Sequence, residues 1–276
     1  SGPARSPTET PGPTRPGAAD LVGCPALSRL SMKSLLILGS TGSIGTQALD
    51  VVRESRARFR VVGLAAGSRW ERLLEQTREF RPRAVALADP GAAARLAAEL
   101  PSGTALFSGP AALEELCREL DYDTAARGLA ASVAVLERGR DLALANKESL
   151  VIAGEHLIEL ARSSGGRILP VDSELCALEQ CLRGEDKGRV RRVIVTASGG
   201  PFRDAPLADL ACATPEQALR HPTWDMGPRI TVGSATLMNK ALEVIEVHHL
   251  FGLERERIHV VIHHQSLVHS LVEFVD

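Results

Sequence analysis

The chain has 276 residues, 44% of them hydrophobic and 24% charged, enough to bury a large core and to make two domains. A formal net charge of -2, basic residues that form no stripe and an aromatic content of only 3% argue against nucleic acid as a partner, and no apolar run approaches the ~20 residues that span a bilayer. The five cysteines are odd in number and form no CxxC pair, which fits reduced thiols in a cytoplasmic setting.

Residues 1–31 mix Pro, Gly, Ser, Thr and Arg with no hydrophobic face, so a disordered tail is expected there, and Met32, directly before the first strand, is a candidate for the natural start. The tail lacks the apolar segment of a secretory signal; a plastid location follows only if it acts as a transit peptide. Residues 33–38 then form an apolar strand, followed by Gly39-Ser40-Thr41-Gly42-Ser43-Ile44-Gly45 and a helix over 44–54. Strand, glycine turn and helix make the dinucleotide arrangement, in which the turn lets backbone approach a pyrophosphate at the helix start. The spacing is GxxGxxG rather than GxGxxG, so the context carries more weight than the pattern. A second strand, 59–65, ends in Ala66-Gly67-Ser68-Arg69. No acid stands at its tip for a ribose 2′-hydroxyl, whereas Ser68 and Arg69 suit a 2′-phosphate, so NADPH is expected over NADH. A solvated loop arginine is the ordinary alternative for Arg69. A strand at 83–88 and helices at 69–80 and 90–99 continue the rhythm, which predicts βαβ units and a parallel sheet.

The strand 168–171 runs into Asp172-Ser173-Glu174, two carboxylates whose i,i+2 spacing points them to one side, a pattern suited to Mg²⁺ or Mn²⁺. Alternatively Asp172 or Ser173 caps a helix over 175–182. Beyond it, strands at 190–197, 229–232 and 258–263 with helices at 214–219 and 235–248 read as an α+β domain, the join lying near residue 171. In the stretch Ile230 to Glu243 the extended Ile-Thr-Val run is expected to end at Gly233, with Ser234 capping a helix that runs through Glu246. Free N–H groups at that helix start suit a phosphate, Asn239 and Glu243 share a face at i,i+4, and Lys240 adds a point charge beside them. The ordinary alternative is a capped surface helix with solvated Lys240 and Glu243.

Seven motifs in order resemble the 1-deoxy-D-xylulose 5-phosphate reductoisomerase family over Lys33 to Asp276: Gly39 to Gly45, Leu144-Ala145-Asn146-Lys147-Glu148-Ser149-Leu150, Leu169 to Glu174, Ala197-Ser198-Gly199-Gly200-Pro201-Phe202-Arg203, His221-Pro222-Thr223-Trp224-Asp225-Met226-Gly227, Ser234 to Glu243, and Gln265 to Ser270. The resemblance implies an α/β chain with a Rossmann-like NADPH domain at 33–171 and an α+β catalytic domain at 172–276, without the family's C-terminal helical domain. It further implies rearrangement and NADPH-dependent reduction of 1-deoxy-D-xylulose 5-phosphate to 2-C-methyl-D-erythritol 4-phosphate, a step of isoprenoid precursor synthesis, by a cytoplasmic homodimer. By the same resemblance, Asp172, Glu174 and Glu243 hold the divalent ion, Mn²⁺ or Mg²⁺ with Co²⁺ a further candidate. Ser198, Ser234, Asn239 and Lys240 form the phosphate pocket, and His221 belongs to a lid whose Trp224 and Met226 close over the phosphosugar. Ser173 and Lys147 touch the reacting carbons, while Asn146, Glu148 and Gly227 line the nicotinamide side. The metal there acts as a Lewis acid on the ketone and its neighbouring hydroxyl.

The chain departs from the family pattern at Leu175, usually histidine, at Gly233, usually aspartate, at Ala241, usually glycine, and at His264, usually proline; Arg127 brings bulk to a small-residue turn. It stops at Val272-Glu273-Phe274-Val275-Asp276, in an expected strand, so low or no turnover is expected of this fragment. Two other readings are a semialdehyde dehydrogenase, which needs a cysteine nucleophile that no cysteine here is placed to be, and a non-catalytic remnant that binds nucleotide or phosphate. His248, His249, His259, His263 and His264 read as solvated or packed.

Overall fold

A computed structural model of the chain describes residues 32–126 and 129–276, so the expected tail at 1–31 and the turn at Arg127 lie outside the described residues. The first half alternates β1 (Lys33–Leu38), α1 (Ser43–Glu54), β2 (Phe59–Ala66), α2 (Trp70–Phe80), β3 (Ala84–Leu87), α3 (Pro90–Glu99), β4 (Ala105–Ser108), α4 (Ala112–Glu119), β5 (Thr124–Ala126), α5 (Leu129–Glu137), β6 (Asp141–Leu144), α6 (Lys147–Ser164) and β7 (Ile168–Pro170). The strands form one parallel sheet in the order β4-β3-β2-β1-β5-β6-β7.

A parallel sheet covered on both faces needs strands that are apolar throughout, and Leu36–Leu38, Val61, Val62, Leu64–Ala66 and Ala84–Leu87 are buried accordingly. Leu49 and Val52 of α1, Leu73 and Leu74 of α2 and Leu96 of α3 cover one face; Leu116 of α4, Leu136 of α5 and Leu150 and Leu157 of α6 cover the other. From β1 the chain builds outward through β2, β3 and β4, then crosses back to β5 on the other side of β1. Loops leaving β1 and β5 therefore part in opposite directions and open a crevice at the carboxyl ends of these strands. Gly45 lets α1 start tight against the turn, since a Cβ there would lie 2.3 Å from the Gly39 carbonyl oxygen.

The second half contains α7 (Ser173–Cys181), β8 (Val190–Ala197), α8 (Pro215–Ala218), α9 (Pro228–Ala235), α10 (Met238–Phe251), β9 (Ile258–Ile262) and β10 (Ser270–Phe274). Its sheet has the order β10-β8-β9, antiparallel on one side of β8 and parallel on the other. Leu175, Leu178, Val193, Val195, Val247 and Phe251 form its core. Helix α10 also lies against α6, closely enough that a Cβ on Gly154 would fall 2.3 Å from the His249 ring. Near that contact α6 is kinked at Ala153 (φ -140°, ψ 32°).

Residues 229–232, expected as a strand, are helical. Pro228 presets the first helical position, Gly227 precedes it, and the Thr231 hydroxyl donates back to the Gly227 carbonyl at 3.0 Å. Helix α9 ends at Ala235 with Thr236 as its C-cap, Leu237 turns the chain through a left-handed conformation (φ 57°), and α10 starts only at Met238. Ser234 is thus in the last turn of one helix rather than the cap of the next.

Candidate active site

The strand β7 stops at Pro170, and Asp172 (φ -57°, ψ 136°) turns the chain directly into α7. Asp172 and Glu174 therefore converge across a helix start rather than by strand alternation. No side chain caps α7, so neither Asp172 nor Ser173 is spent in that role. Glu243 arrives from α10, and one carboxylate oxygen each from Asp172, Glu174 and Glu243 lie within 4.8 Å of one another. Lys147, the first residue of α6, brings its Nζ within 2.5 Å of Asp172 Oδ2 and 2.9 Å of Glu243 Oε1. Lys240 Nζ lies 3.2 Å from Glu174 Oε1 and also pairs with Glu243 Oε2. Asn239 Nδ2 donates to Glu243 Oε1 at 2.6 Å, as the i,i+4 spacing requires, and the Ser173 hydroxyl donates to Glu174 Oε2 at 2.6 Å.

Glu243 is 1% exposed and Lys240 6%, so this face of α10 is not solvated. Burial and the neighbouring Asp172 push the Glu243 carboxyl above its ordinary range, and burial likewise raises Asp172. Burial also disfavours charge on Glu174, but the Lys240 ammonium and hydrogen bonds from its neighbours outweigh it and hold that carboxyl down to about 2. Lys147 is raised because Asp172 and Glu243 outweigh its own burial. Three converging carboxylates held away from water form an all-oxygen set suited to a hard divalent cation, whose charge would relieve their mutual repulsion.

These groups open on a cavity of about 480 Å³. Its walls include Lys147, Asp172, Ser173 and Glu174, then Ser198, Trp224 and Met226, and from the two successive helices Ser234, Asn239, Lys240 and Glu243. Ile44 and Gln47 of α1 close its far side, so the nucleotide turn and the acidic cluster face one space. His221 does not line the cavity but holds what does. Its Nδ1 accepts from the backbone N–H groups of Thr223 (3.1 Å) and Trp224 (2.8 Å), so the proton sits on Nε2 and is donated to Ser198 Oγ at 2.9 Å. Burial and nearby Arg203 lower the His221 pKa, which favours that neutral tautomer.

At the nucleotide end, Ser40 is fully buried and Thr41 nearly so, whereas Ser43 and Ile44 are exposed at the start of α1. Added Cβ atoms would meet nothing at Gly67 and only the Gly39 oxygen, at 3.3 Å, at Gly42, so backbone there is open to a close ligand. Arg69 donates to the Thr41 carbonyl at 3.0 Å, with Ser68 beside it. Asn146 caps α6 through its Oδ1 to the Ser149 N–H at 3.1 Å; Glu148 pairs with Arg229 at 2.7 Å, and Gly227 stands open at the start of α9. Of the departures, Leu175 is fully buried in the core and does not face the cavity, while a Cβ on Gly233 would meet Asn239 only at 3.5 Å.

Residues to which the sequence reading gave no role also lie beside the acidic cluster. His269 Nδ1 lies 3.8 Å from Glu174 Oε1 and the Ser270 hydroxyl donates to the Glu174 carbonyl at 2.9 Å. Glu246 is 3% exposed, and burial and nearby Asp172 push its carboxyl up to about 8. Its spacing of three from Glu243 was the available signal.

Two family models match this chain: 1-deoxy-D-xylulose 5-phosphate reductoisomerase at residues 35–154 and that family's C-terminal domain at residues 168–251. A reductoisomerase of that name from Anaeromyxobacter dehalogenans is 53% identical over 251 residues, which cover 89% of this chain and 64% of the relative; one from Thermosynechococcus vestitus is 48% identical, covering 89% and 62%. Among solved structures, DOX-P reductoisomerase in complex with NADPH, fosmidomycin and magnesium is 39% identical with a TM-score of 0.82, over 88% of this chain and 64% of that one. The Zymomonas mobilis enzyme in complex with NADPH is 38% identical with a TM-score of 0.82, over 89% and 65%. This chain spans 64% of the length of the first relative, and it belongs to the 1-deoxy-D-xylulose 5-phosphate reductoisomerase family.

Proposed function

We propose that this chain carries the nucleotide and metal sites of an NADPH-dependent, divalent-metal-dependent reductoisomerase that converts 1-deoxy-D-xylulose 5-phosphate to 2-C-methyl-D-erythritol 4-phosphate. The supporting observation is the cavity shared by Ile44 and Gln47 of α1, the helix that follows the nucleotide turn, and by Asp172, Glu174 and Glu243. A hydride donor laid along the crevice would end beside a cation held by those carboxylates. Solved relatives of this family hold NADPH and magnesium.

When bound, the cation supplies Lewis-acid stabilisation of charge developing on the substrate oxygens. Asp172, Glu174 and Glu243 hold and orient it, and Lys147, 2.5 Å from Asp172, offers a second positive charge beside the reacting carbons. Ser173, whose hydroxyl donates to Glu174 Oε2, stands beside the reacting carbons of the sugar. Ser198, Ser234 and Asn239 provide polar groups for the phosphate, whose binding energy orients the substrate away from the bond-breaking centre. Lys240 faces Glu174 and Glu243, so its charge serves the cluster as well as the phosphate. Trp224, which lines the cavity and whose N–H is held by His221, would close over the bound phosphosugar and exclude water. The division into a nucleotide unit at 33–171 and a catalytic unit at 172–276, assembly as a homodimer and a cytoplasmic site of action belong to the same reading.

The test follows NADPH absorbance with deoxyxylulose phosphate and Mn²⁺ or Mg²⁺, alongside calorimetric titration of each metal into the chain. NADPH consumption that needs both metal and phosphosugar, lost in Asp172→Asn, is the expected result. Absence of metal binding together with absence of metal-dependent NADPH consumption would overturn the reading.

A further inference from the structure

One buried polar side chain in the first half has no part in the reading above. Gln76, in the middle of α2, is 5% exposed among the apolar groups that α2 packs on the sheet. It makes a reciprocal pair with a residue 36 positions away: Ser40 Oγ donates to Gln76 Oε1 at 2.7 Å, and Gln76 Nε2 donates to the Ser40 carbonyl at 2.9 Å. Packing alone does not explain an amide there, since a leucine fills the same volume without the desolvation cost of a polar group.

We infer that Gln76 is a positioning residue for the dinucleotide, acting through the Ser40 peptide; this rests on the NADPH reading of the glycine turn. In a trans peptide the carbonyl and the following N–H point in opposite directions. Fixing the Ser40 carbonyl toward α2 therefore aims the Thr41 N–H the other way, toward the crevice. Arg69 takes the next carbonyl, that of Thr41, at 3.0 Å and so turns it away as well. The N–H groups of Gly39 and Ser40 are both committed to the Ala65 carbonyl, at 2.8 and 2.9 Å, and Gly42 N–H to Gly39 at 2.9 Å. Among the described residues, the N–H groups of Thr41, Ser43 and Ile44 have no backbone acceptor. The pair thus removes a carbonyl that would repel a pyrophosphate and presents donors in its place. Without Gln76 the Ser40 carbonyl loses the amide that holds it, and the Ser40–Thr41 peptide can turn about Ser40 ψ and Thr41 φ.

The experiment compares two ligands on this chain by calorimetry or competition: NADPH, which spans the turn, and adenosine 2′-monophosphate, which carries the 2′-phosphate end and no pyrophosphate. Gln76→Leu is expected to weaken NADPH about 10-fold, the scale of one lost net hydrogen bond's worth of orientation, and to leave adenosine 2′-monophosphate binding unchanged. Gln76→Glu keeps an acceptor for Ser40 Oγ but sets an oxygen against the Ser40 carbonyl, so it should weaken NADPH at least as much, whereas Ser40→Ala, which keeps the carbonyl bond, should weaken it less. These two variants decide the matter if Gln76→Leu does not fold. Unaltered NADPH affinity in folded variants, or parallel loss of both ligands, would overturn the inference. Wild-type chain that binds neither ligand would overturn the nucleotide reading itself, and the inference with it.

Discussion

The two halves of the molecule place their chemistry by opposite means. In the first half the groups offered to a ligand are mostly backbone: a glycine turn at the switch point of a doubly wound sheet whose interior is apolar on both faces. In the second half they are charged side chains under cover. Among the described residues, the buried charged ones, Lys240, Glu243 and Glu246, all lie on α10. A backbone site depends on local geometry and tolerates an apolar surround. A buried charge site depends on partners from several elements, and each partner left alone is a liability.

The largest effect expected to sharpen this contrast is at Glu243. It is shared by Lys147 at 2.9 Å and by Lys240, so Glu243→Ala leaves two nearly buried ammoniums without their common partner. A loss of about 3–5 kcal/mol is expected in chemical denaturation of the metal-free chain, together with loss of Mn²⁺ affinity by on the order of 100-fold. NADPH affinity should hold. A variant that keeps full Mn²⁺ affinity would separate Glu243 from the cation and break the contrast.

Leu49 provides the counterpart in the first half. It is fully buried between α1 and the sheet, and Leu49→Ala should cost about 2–5 kcal/mol through lost apolar contact and a cavity. Mn²⁺ affinity measured in the folded chain should be unchanged. Metal dependence appearing in this variant would mean that the halves are energetically one.

Legibility followed the same divide. Strands such as β1 and β2 announce themselves because a parallel strand buried on both faces is a continuous apolar run, and the glycine turn lies within it in sequence. The short strands β4, β5 and β6 carry little signal: Thr124–Ala126 is three residues, and its strand state comes from the pairing of Leu35 to Ile37 beside it. In the second half local preference misled. Ile230, Thr231 and Val232 favour a strand by side-chain shape, but Pro228 at the first helical position and Gly227 before it start a helix there. Asp172, Glu174 and Glu243 stood out as acids next to turn and cap signals, yet their separation from Lys147, whose link to Glu243 spans 96 positions, hides the pairing that fills the site. Gln76 carries no motif at all.

Gly45 tests the backbone side of the contrast at a smaller scale. The added methyl of Gly45→Ala would lie 2.3 Å from the Gly39 oxygen and 2.6 Å from the Ser40 Cα, both backbone atoms of the turn. The turn or α1 must shift, at a cost of about 1–3 kcal/mol, and NADPH affinity should fall while Mn²⁺ affinity stays. Normal NADPH binding by this variant would show that the turn has slack.

The smallest expected effect concerns His221, where the two means meet: a titratable side chain that organises backbone. Its Nδ1 accepts two N–H groups, from Thr223 and Trp224, and protonation would set a hydrogen against both. Burial, with Arg203, lowers its pKa from 6.5, so the ordering that it gives to residues 221–224 is complete above that value and is lost as pH falls through the lower folded value. In a Trp70→Phe background, fluorescence reports Trp224, and its emission should shift red as pH falls through the lowered folded pKa of His221. His221→Ala should show the shifted emission at every pH, because neither N–H keeps its acceptor. A titration that persists unchanged in His221→Ala would assign the pH response to some other group and leave the 221–224 turn to hold itself.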